Sequence, residues 1–299
     1  MKILKNTKGL NLAILFLLCQ ISYAGITPKP DAFNLAMKSY NTGNFPRALR
    51  WFRKAASFGY APAETYIGYM YYNGFGVDKD FKQAVKWYIK AAHHGDPMGQ
   101  VHLGAMCERG EGLPQNYLDA MDWYLKAANQ GSALAETNIG VLYAKGYGVK
   151  QDYQQAYKWF LKGVHKGNSN AQFNLGALYA TGHGVPEDFD YAMMWYMKAA
   201  AQGNFKAENN IACHYQYGMG VDQDYEEAFQ WYEKAAKRGN PNSQQGLGEL
   251  YENGWGVQQN YAKALEWYQK AADQGNKTAI KKLTELKKRV ERESKQKRK

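Results

Sequence analysis

Residues 61–95 read APAETYIGYMYYNGFGVDKDFKQAVKWYIKAAHHG, and the spacing of residues within them decides the fold. Ala63, Ile67, Gly68 and Tyr71 fall at i, i+4, i+5 and i+8, which is one face of a helix over residues 61–73. Gly74 follows the last periodic residue, where a left-handed cap favours a residue without Cβ. After the short loop Gly76-Val77-Asp78-Lys79, Asp80 stands where a side chain can accept bonds from the free N–H groups of a helix start. Phe81, Ala84, Trp87/Tyr88 and Ala91 then form a second apolar stripe, closed by Gly95. The stretch therefore predicts helix A, a turn and helix B.

The unit recurs. Trp51, Trp87, Trp123, Trp159, Trp195, Trp231 and Trp267 are spaced 36 residues apart. The glycine pairs Gly74/Gly76 through Gly254/Gly256 keep the same period, as does the cap column Asp80, Asn116, Asp152, Asp188, Asp224 and Asn260. A period of this size marks a repeat architecture and overrides a domain count from length. A lone helix pair cannot cover its own stripe, whereas stacked neighbours bury both sides, so the fold expected is an α-solenoid. Gly68, Gly104, Gly140, Gly176 and Gly248 sit inside helix A, where glycine costs about 1 kcal/mol relative to alanine. Ala212 takes that place in the fifth full copy, so the requirement is smallness, and close packing beneath an aromatic ring is expected. The fixed period of the tryptophans places them in the core.

The domain boundaries that follow are an opening unit at 31–61 with a shortened loop, six full repeats at 62–277, a capping helix at 278–292 and a basic, unordered tail at 293–299. Met1 to Ala24 has three lysines, the apolar run Leu10–Cys19 and then Ser22-Tyr23-Ala24, the layout of a secretory signal cleaved after Ala24. A membrane anchor and a lipoprotein acylated at Cys19 compete with that reading. The run falls short of the ~20 residues that span a bilayer, and Leu18 stands where acylation needs a small residue. An exported protein, periplasmic or secreted, is expected.

Composition excludes other classes. Mean hydropathy is −0.63, against a polytopic membrane protein, and 45% hydrophobic content argues against disorder. Three cysteines cannot build a disulfide-dense scaffold. The net charge of +11 sits at the ends: residues 9–276 carry 24 positive and 24 negative side chains, and residues 277–299 carry eleven Lys/Arg against three Glu. The basic tail is a candidate for weak contact with an anionic membrane, and in an exported chain nucleic acid is not expected as a partner.

The frame A-x-x-x-L-G-x-x-Y-x-x-G-x-G-V-x-x-D-(Y/F)-x-x-A-x-x-W-(Y/F)-x-K-A-A-x-x-G closely resembles the Sel-like repeat (SLR) family. Residues 134–167 carry it well, with Ala135, Ile139-Gly140, Tyr143, Gly146, Gly148, Val149, Asp152, Tyr153, Ala156, Trp159-Phe160, Lys162 and Gly167. Cys107, Leu113-Pro114 and Gly163-Val164 depart from it. The resemblance implies an all-α, right-handed α-solenoid of helix-turn-helix repeats related to tetratricopeptide repeats. It also implies a non-enzymatic adaptor that binds partner proteins or peptides. Exported bacterial members of the family act in envelope signalling or host-cell entry, so a role in virulence falls within the expectation. An envelope hydrolase or β-lactam-binding protein, and a eukaryotic secretory-pathway adaptor, remain as alternatives. β-Lactam binding is associated with members that carry a cysteine pair in each repeat, which this chain does not.

In tetratricopeptide-like stacks helix A lines the concave face. The residue before the Ile/Leu-Gly step varies as Tyr66, His102, Asn138, Asn174, Asn210 and Gly246. The expected partner-binding set is therefore Tyr66, His102, Asn138, Asn174 and Asn210, with Arg109 and Lys145 further along their helices. Asparagines in a row offer both a donor and an acceptor to an extended backbone; the competing reading is that they bond the neighbouring helix. No catalytic residue, cofactor site or metal site is expected. The glycine pairs follow a helix and lack the Lys-Ser/Thr of a phosphate loop, and the histidines show no zinc spacing. Cys107 and Cys213 lie almost three repeats apart and are expected as free thiols in a monomer.

Overall fold

The computed structural model describes residues 28–297; the expected export signal at 1–24 and the last two residues of the basic tail lie outside the described residues. Among the described residues there are fifteen helices and no strand. They form two compact units, one up to Ala135 and one from Glu136 onward. In the first, α1 (Pro28–Asn41) and α2 (Phe45–Ser57) make the opening pair, followed by α3 (Ala61–Asn73) with α4 (Phe81–His93) and α5 (Pro97–Arg109) with α6 (Tyr117–Asn129). Helix α7 (Ala133–Lys145) carries the division and precedes α8 (Tyr153–His165). The second unit continues with α9 (Ser169–Thr181), α10 (Phe189–Ala201), α11 (Phe205–Tyr217), α12 (Tyr225–Lys237), α13 (Pro241–Asn253) and α14 (Tyr261–Asp273), and closes with α15 (Lys277–Lys297).

The caps are built as the cap column requires. Asp80 Oδ1 accepts from the Gln83 N–H at 3.0 Å, Asp152 Oδ1 from Gln155 at 2.9 Å and Asn260 Oδ1 from Lys263 at 3.0 Å. The two glycines of each loop do different work. Gly182 closes α9 at φ 66° with room around it: a Cβ there would stand 3.4 Å from Glu187. Gly184, at φ 74°, lies against the first residue of α8, and a Cβ there would stand 2.7 Å from the Tyr153 carbonyl carbon. Gly76, Gly112, Gly220 and Gly256 meet Phe45, Phe81, Phe189 and Tyr225 in the same way. In these five repeats the loop is thus pressed onto the start of helix B in the preceding repeat. Gly182→Ala should cost about 1 kcal/mol from backbone conformation alone, and Gly184→Ala about 2 kcal/mol because the contact adds to it. Equal shifts of the two urea midpoints would contradict the division of roles.

The core differs from expectation at the tryptophans. All seven of the periodic tryptophans are half-buried, each with the lysine three residues later lying 3.7–5.0 Å over its ring. The fully buried aromatic is the next residue: Tyr88, Tyr124, Phe160, Tyr196, Tyr232 and Tyr268 are at most 3% exposed. One residue is about 100° around a helix, and the centre of the stripe falls on that neighbour. The helix-A glycines lie beneath these rings, because a Cβ on Gly68, Gly104, Gly140, Gly176 or Gly248 would stand 2.5–2.8 Å from ring carbons of the same repeat. Buried phenol groups find acceptors: Tyr124, Tyr232 and Tyr268 donate to Glu108, Gln216 and Glu252 at 2.7, 2.7 and 2.8 Å. Where helix A offers Ala144 at that place, the ring is Phe160, whereas opposite Ala180 the ring is Tyr196, whose hydroxyl meets Asn210 instead.

A second ladder of polar pairs joins helix A to the end of helix B. Its members alternate: Glu64 with His94 (2.7 Å), Gln100 with Gln130 (2.8 Å), Glu136 with Lys166 (2.7 Å), Gln172 with Gln202 (2.8 Å), Glu208 with Arg238 (3.1 Å) and Gln244 with Gln274 (2.7 Å). Each carboxylate meets a basic side chain and each buried amide meets another amide, although the second carboxylate oxygens of Glu136 and Glu208 stay buried without a hydrogen bond.

Helix α15 docks through Ala279, Leu283 and Leu286, which are 0%, 8% and 1% exposed. It continues to Lys297, past the boundary at 292, so the tail expected to be unordered from residue 293 is helical for five residues more. The reason is local: Arg289 pairs with Glu293 at 3.0 Å and Lys295 with Glu291 at 3.7 Å, both at i, i+4. Among the described residues no helix is long and apolar enough to cross a membrane.

Candidate binding surface

Helix A leaves one column of side chains between its ring-covering glycine and the neighbouring repeat. Tyr66 occupies it on α3 and stacks on Phe52 of α2, with ring centroids 5.0 Å apart and planes 12° apart. His102 occupies it on α5 and stacks on Tyr88 of α4 at 4.9 Å and 19°. Burial holds the His102 imidazole below its ordinary pKa, with Asp96 opposing and Arg109 assisting. The ring is therefore neutral at pH 7 and acts as an aromatic wall.

His102 and Arg109 come together. With Tyr69, Tyr72, Tyr88 and Met106 they enclose a cavity of about 130 Å³ in the first unit. The Arg109 guanidinium lies 5.9 Å over the Tyr72 ring, its Nε is 3.3 Å from Glu111 Oε2, and Nε also donates to the Ala105 carbonyl at 3.2 Å. The Tyr72 hydroxyl donates to Glu111 Oε1 at 3.4 Å, and burial raises its pKa. The cavity has aromatic and thioether walls and a cation at the rim, so it suits an apolar side chain next to a carbonyl or carboxylate oxygen. Tyr66 does not line it. Tyr69, Tyr72 and Met106 were absent from the sequence reading, although they lie three to six residues beyond the Tyr66 and His102 positions on the same helices.

In the second unit Asn138, Asn174 and Asn210 are half-buried. The Asn174 amide donates to the Asn170 carbonyl of its own helix at 2.9 Å. Asn210 lies beside the Tyr196 phenol, whose pKa burial pushes up to about 12 while the amide pulls it down. Gly246, in the same column, faces the Tyr232 ring. Lys145 is exposed at the end of α7. At Tyr66, His102, Asn210 and Gly246 the column thus packs against a ring of the preceding repeat, and the freer side chains lie further along helix A.

Cys107 and Cys213 are free thiols. Burial pushes Cys107 up to about 11 and also raises Cys213, which lies 3.1 Å from the Tyr232 hydroxyl. Both are protonated at neutral pH and lack the thiolate a nucleophile needs. No group of three or more His, Cys, Asp or Glu side chains that could hold a metal ion occurs among the described residues.

Paired helices of constant length, N-capped second helices and a glycine loop seated on the preceding repeat define an α-solenoid repeat protein. The chain belongs to the Sel1 repeat family, whose model matches residues 32–60, 61–96, 97–132, 133–168, 169–204, 205–240 and 241–276. It is similar to a Sel1 repeat protein from Oxalobacter formigenes, with 36% identity and a TM-score of 0.73 over 80% of this chain and 98% of that one. A protective antigen of uropathogenic Escherichia coli strains that displays an SLR fold shares 36% identity and a TM-score of 0.66, over 91% of this chain and 59% of the antigen. This chain thus spans less than two thirds of that protein. A Sel1 repeat protein from Klebsiella pneumoniae, at 20% identity and a TM-score of 0.50, shares the fold. No curated protein matches the chain. A repeat protein of this family is suited to scaffolding protein–protein interactions.

Proposed function

We propose that this protein is an exported, monomeric and non-catalytic scaffold that holds a partner protein by an extended segment on its helix-A face. The observation that carries the reading is the cavity between α3 and α5, with Tyr69, Tyr72, His102 and Met106 as walls and Arg109 at its rim. Aromatic and arginine side chains around a recess are the residue types that dominate binding energy at protein interfaces. The secretory layout of Met1 to Ala24 supports export, and the protonated, buried thiols support a binding role rather than a catalytic one.

A photo-crosslinking residue at Tyr69 in the native cell should capture the partner. Purified partner should bind Tyr72→Ala/Arg109→Ala at least tenfold more weakly than the parent, which is about 1.4 kcal/mol, with helical circular dichroism unchanged. Unchanged affinity in that double variant would remove the cavity from the proposal. N-terminal sequencing of the mature protein should begin at Gly25.

A further inference from the structure

The neutrality of residues 9–276 conceals a local excess. The opening unit, residues 31–60, holds five Lys/Arg and one Asp, and α2 alone carries Arg47, Arg50, Arg53 and Lys54 with no acidic residue. Its apolar face, Ala48, Leu49, Phe52 and Ala55, is buried. On the other side Arg47, Arg50, Trp51 and Lys54 border a surface recess of about 350 Å³. The Lys54 ammonium lies 5.0 Å over the Trp51 ring.

Every repeat keeps the Trp–Lys pair, so that pair belongs to the packing of helix B. The two arginines do not recur. The positions of Arg47 and Arg50 hold Gln83 and Lys86, Asp119 and Asp122, Gln155 and Lys158, Tyr191 and Met194, Glu227 and Gln230, and Lys263 and Glu266 in the later repeats. Among the described residues Arg47, Arg50 and Lys54 form no ion pair, whereas Arg109, Lys166, Lys234 and Arg238 each meet a glutamate. Arg47 also stands in the first turn of α2, where the helix dipole disfavours a cation. Nothing in the packing of the opening unit calls for these charges.

We infer that the outer face of α2 is a second docking surface, for an acidic segment of a partner protein. A carboxylate fits the forked donors of Arg47 and Arg50. The shape favours a peptide over a bilayer or a nucleic acid: the indole is recessed among three cations rather than projecting, and its face is already covered by Lys54. The inference rests on the scaffold reading but uses a different face from the α3–α5 cavity.

The test uses the full mature chain and a fluorescein-labelled peptide, Asp-Glu-Phe-Asp-Glu-Asp, followed by anisotropy at low salt. Arg47→Glu/Arg50→Glu should weaken binding at least tenfold and Arg47→Lys/Arg50→Lys about threefold. Lys288→Gln/Arg292→Gln on α15 and Tyr72→Ala/Arg109→Ala should leave binding within twofold. Equal binding by the charge-reversed variant overturns the inference, as does loss on the α15 variant instead. Tighter binding of phosphatidylglycerol vesicles or a single-stranded oligonucleotide than of the peptide, abolished by the same reversal, would also overturn it. Since the cavity is tested with its own partner, failure here leaves that reading standing, and the reverse holds too.

Discussion

Gly246→Asn should destabilise the second unit by about 3 kcal/mol, and adding Ala212→Gly should restore most of that loss. A Cβ on Gly246 would stand 2.7–2.9 Å from Tyr232 ring atoms, and overpacking of this kind costs typically 1–3 kcal/mol. The buried rings of Tyr88, Tyr196 and Tyr232 each lie in a slot between the helix A of their own repeat and that of the next. Around Tyr196 the near wall is Gly176 and the far wall Asn210, and around Tyr88 they are Gly68 and His102. Around Tyr232 the sizes are exchanged: the near wall is Ala212, which is fully buried, and the far wall is Gly246. The double substitution rebuilds the Tyr196 arrangement around Tyr232. Urea unfolding of the four members of the cycle should give a coupling of about 2 kcal/mol. Additive single effects would show that the ring does not shift toward whichever wall is smaller.

Lys166→Ala should cost about 3 kcal/mol, at the low end for breaking a buried pair because the lysine is part exposed. Glu136 is 5% exposed, its Oε1 takes the Lys166 ammonium at 2.7 Å, and its Oε2 has no hydrogen-bond partner. Removing the lysine leaves a buried carboxylate with nothing to offset its desolvation. Glu136→Gln/Lys166→Gln should instead stay within about 1 kcal/mol of the parent, since it copies the adjacent Gln172–Gln202 pair. The midpoints of urea unfolding check both statements. A double variant as unstable as Lys166→Ala would mean that the ladder needs its charges and not merely its hydrogen bonds.

Much of this architecture is legible in the residues. The 36-residue period, the glycine after helix A and the Asp/Asn before helix B give the helices nearly to the residue, because caps and stripes are local signals. The tryptophans mislead because a period shows that a position is constrained without showing which of two adjacent aromatics points inward. The polar ladder is present in the sequence as two columns, Glu/Gln at 64 to 244 and His, Gln, Lys, Gln, Arg, Gln at 94 to 274. It becomes visible only when positions 30 apart are read together. The binding column is the hardest to read. Variation at Tyr66, His102 and Asn210 looks like freedom for a ligand, yet these side chains face rings of the preceding repeat, and the cavity opens one turn further along.

The loop glycines give the assembly a direction. Gly184, Gly220 and Gly256 each rest on the first residue of a helix that comes before them in the chain, so each of these repeats leans on its predecessor. In the opening unit α1 and α2 are joined by Thr42-Gly43-Asn44 alone, and it has no such loop. Removing repeats from the C-terminal side leaves every remaining loop with its support. Removing the opening unit takes away the Phe45 platform beneath Gly76 and strands a loop whose shape was set by a neighbour that is gone. The two ends are therefore unequal as sites for truncation or fusion, and a shortened derivative should be cut from the end on which no loop rests.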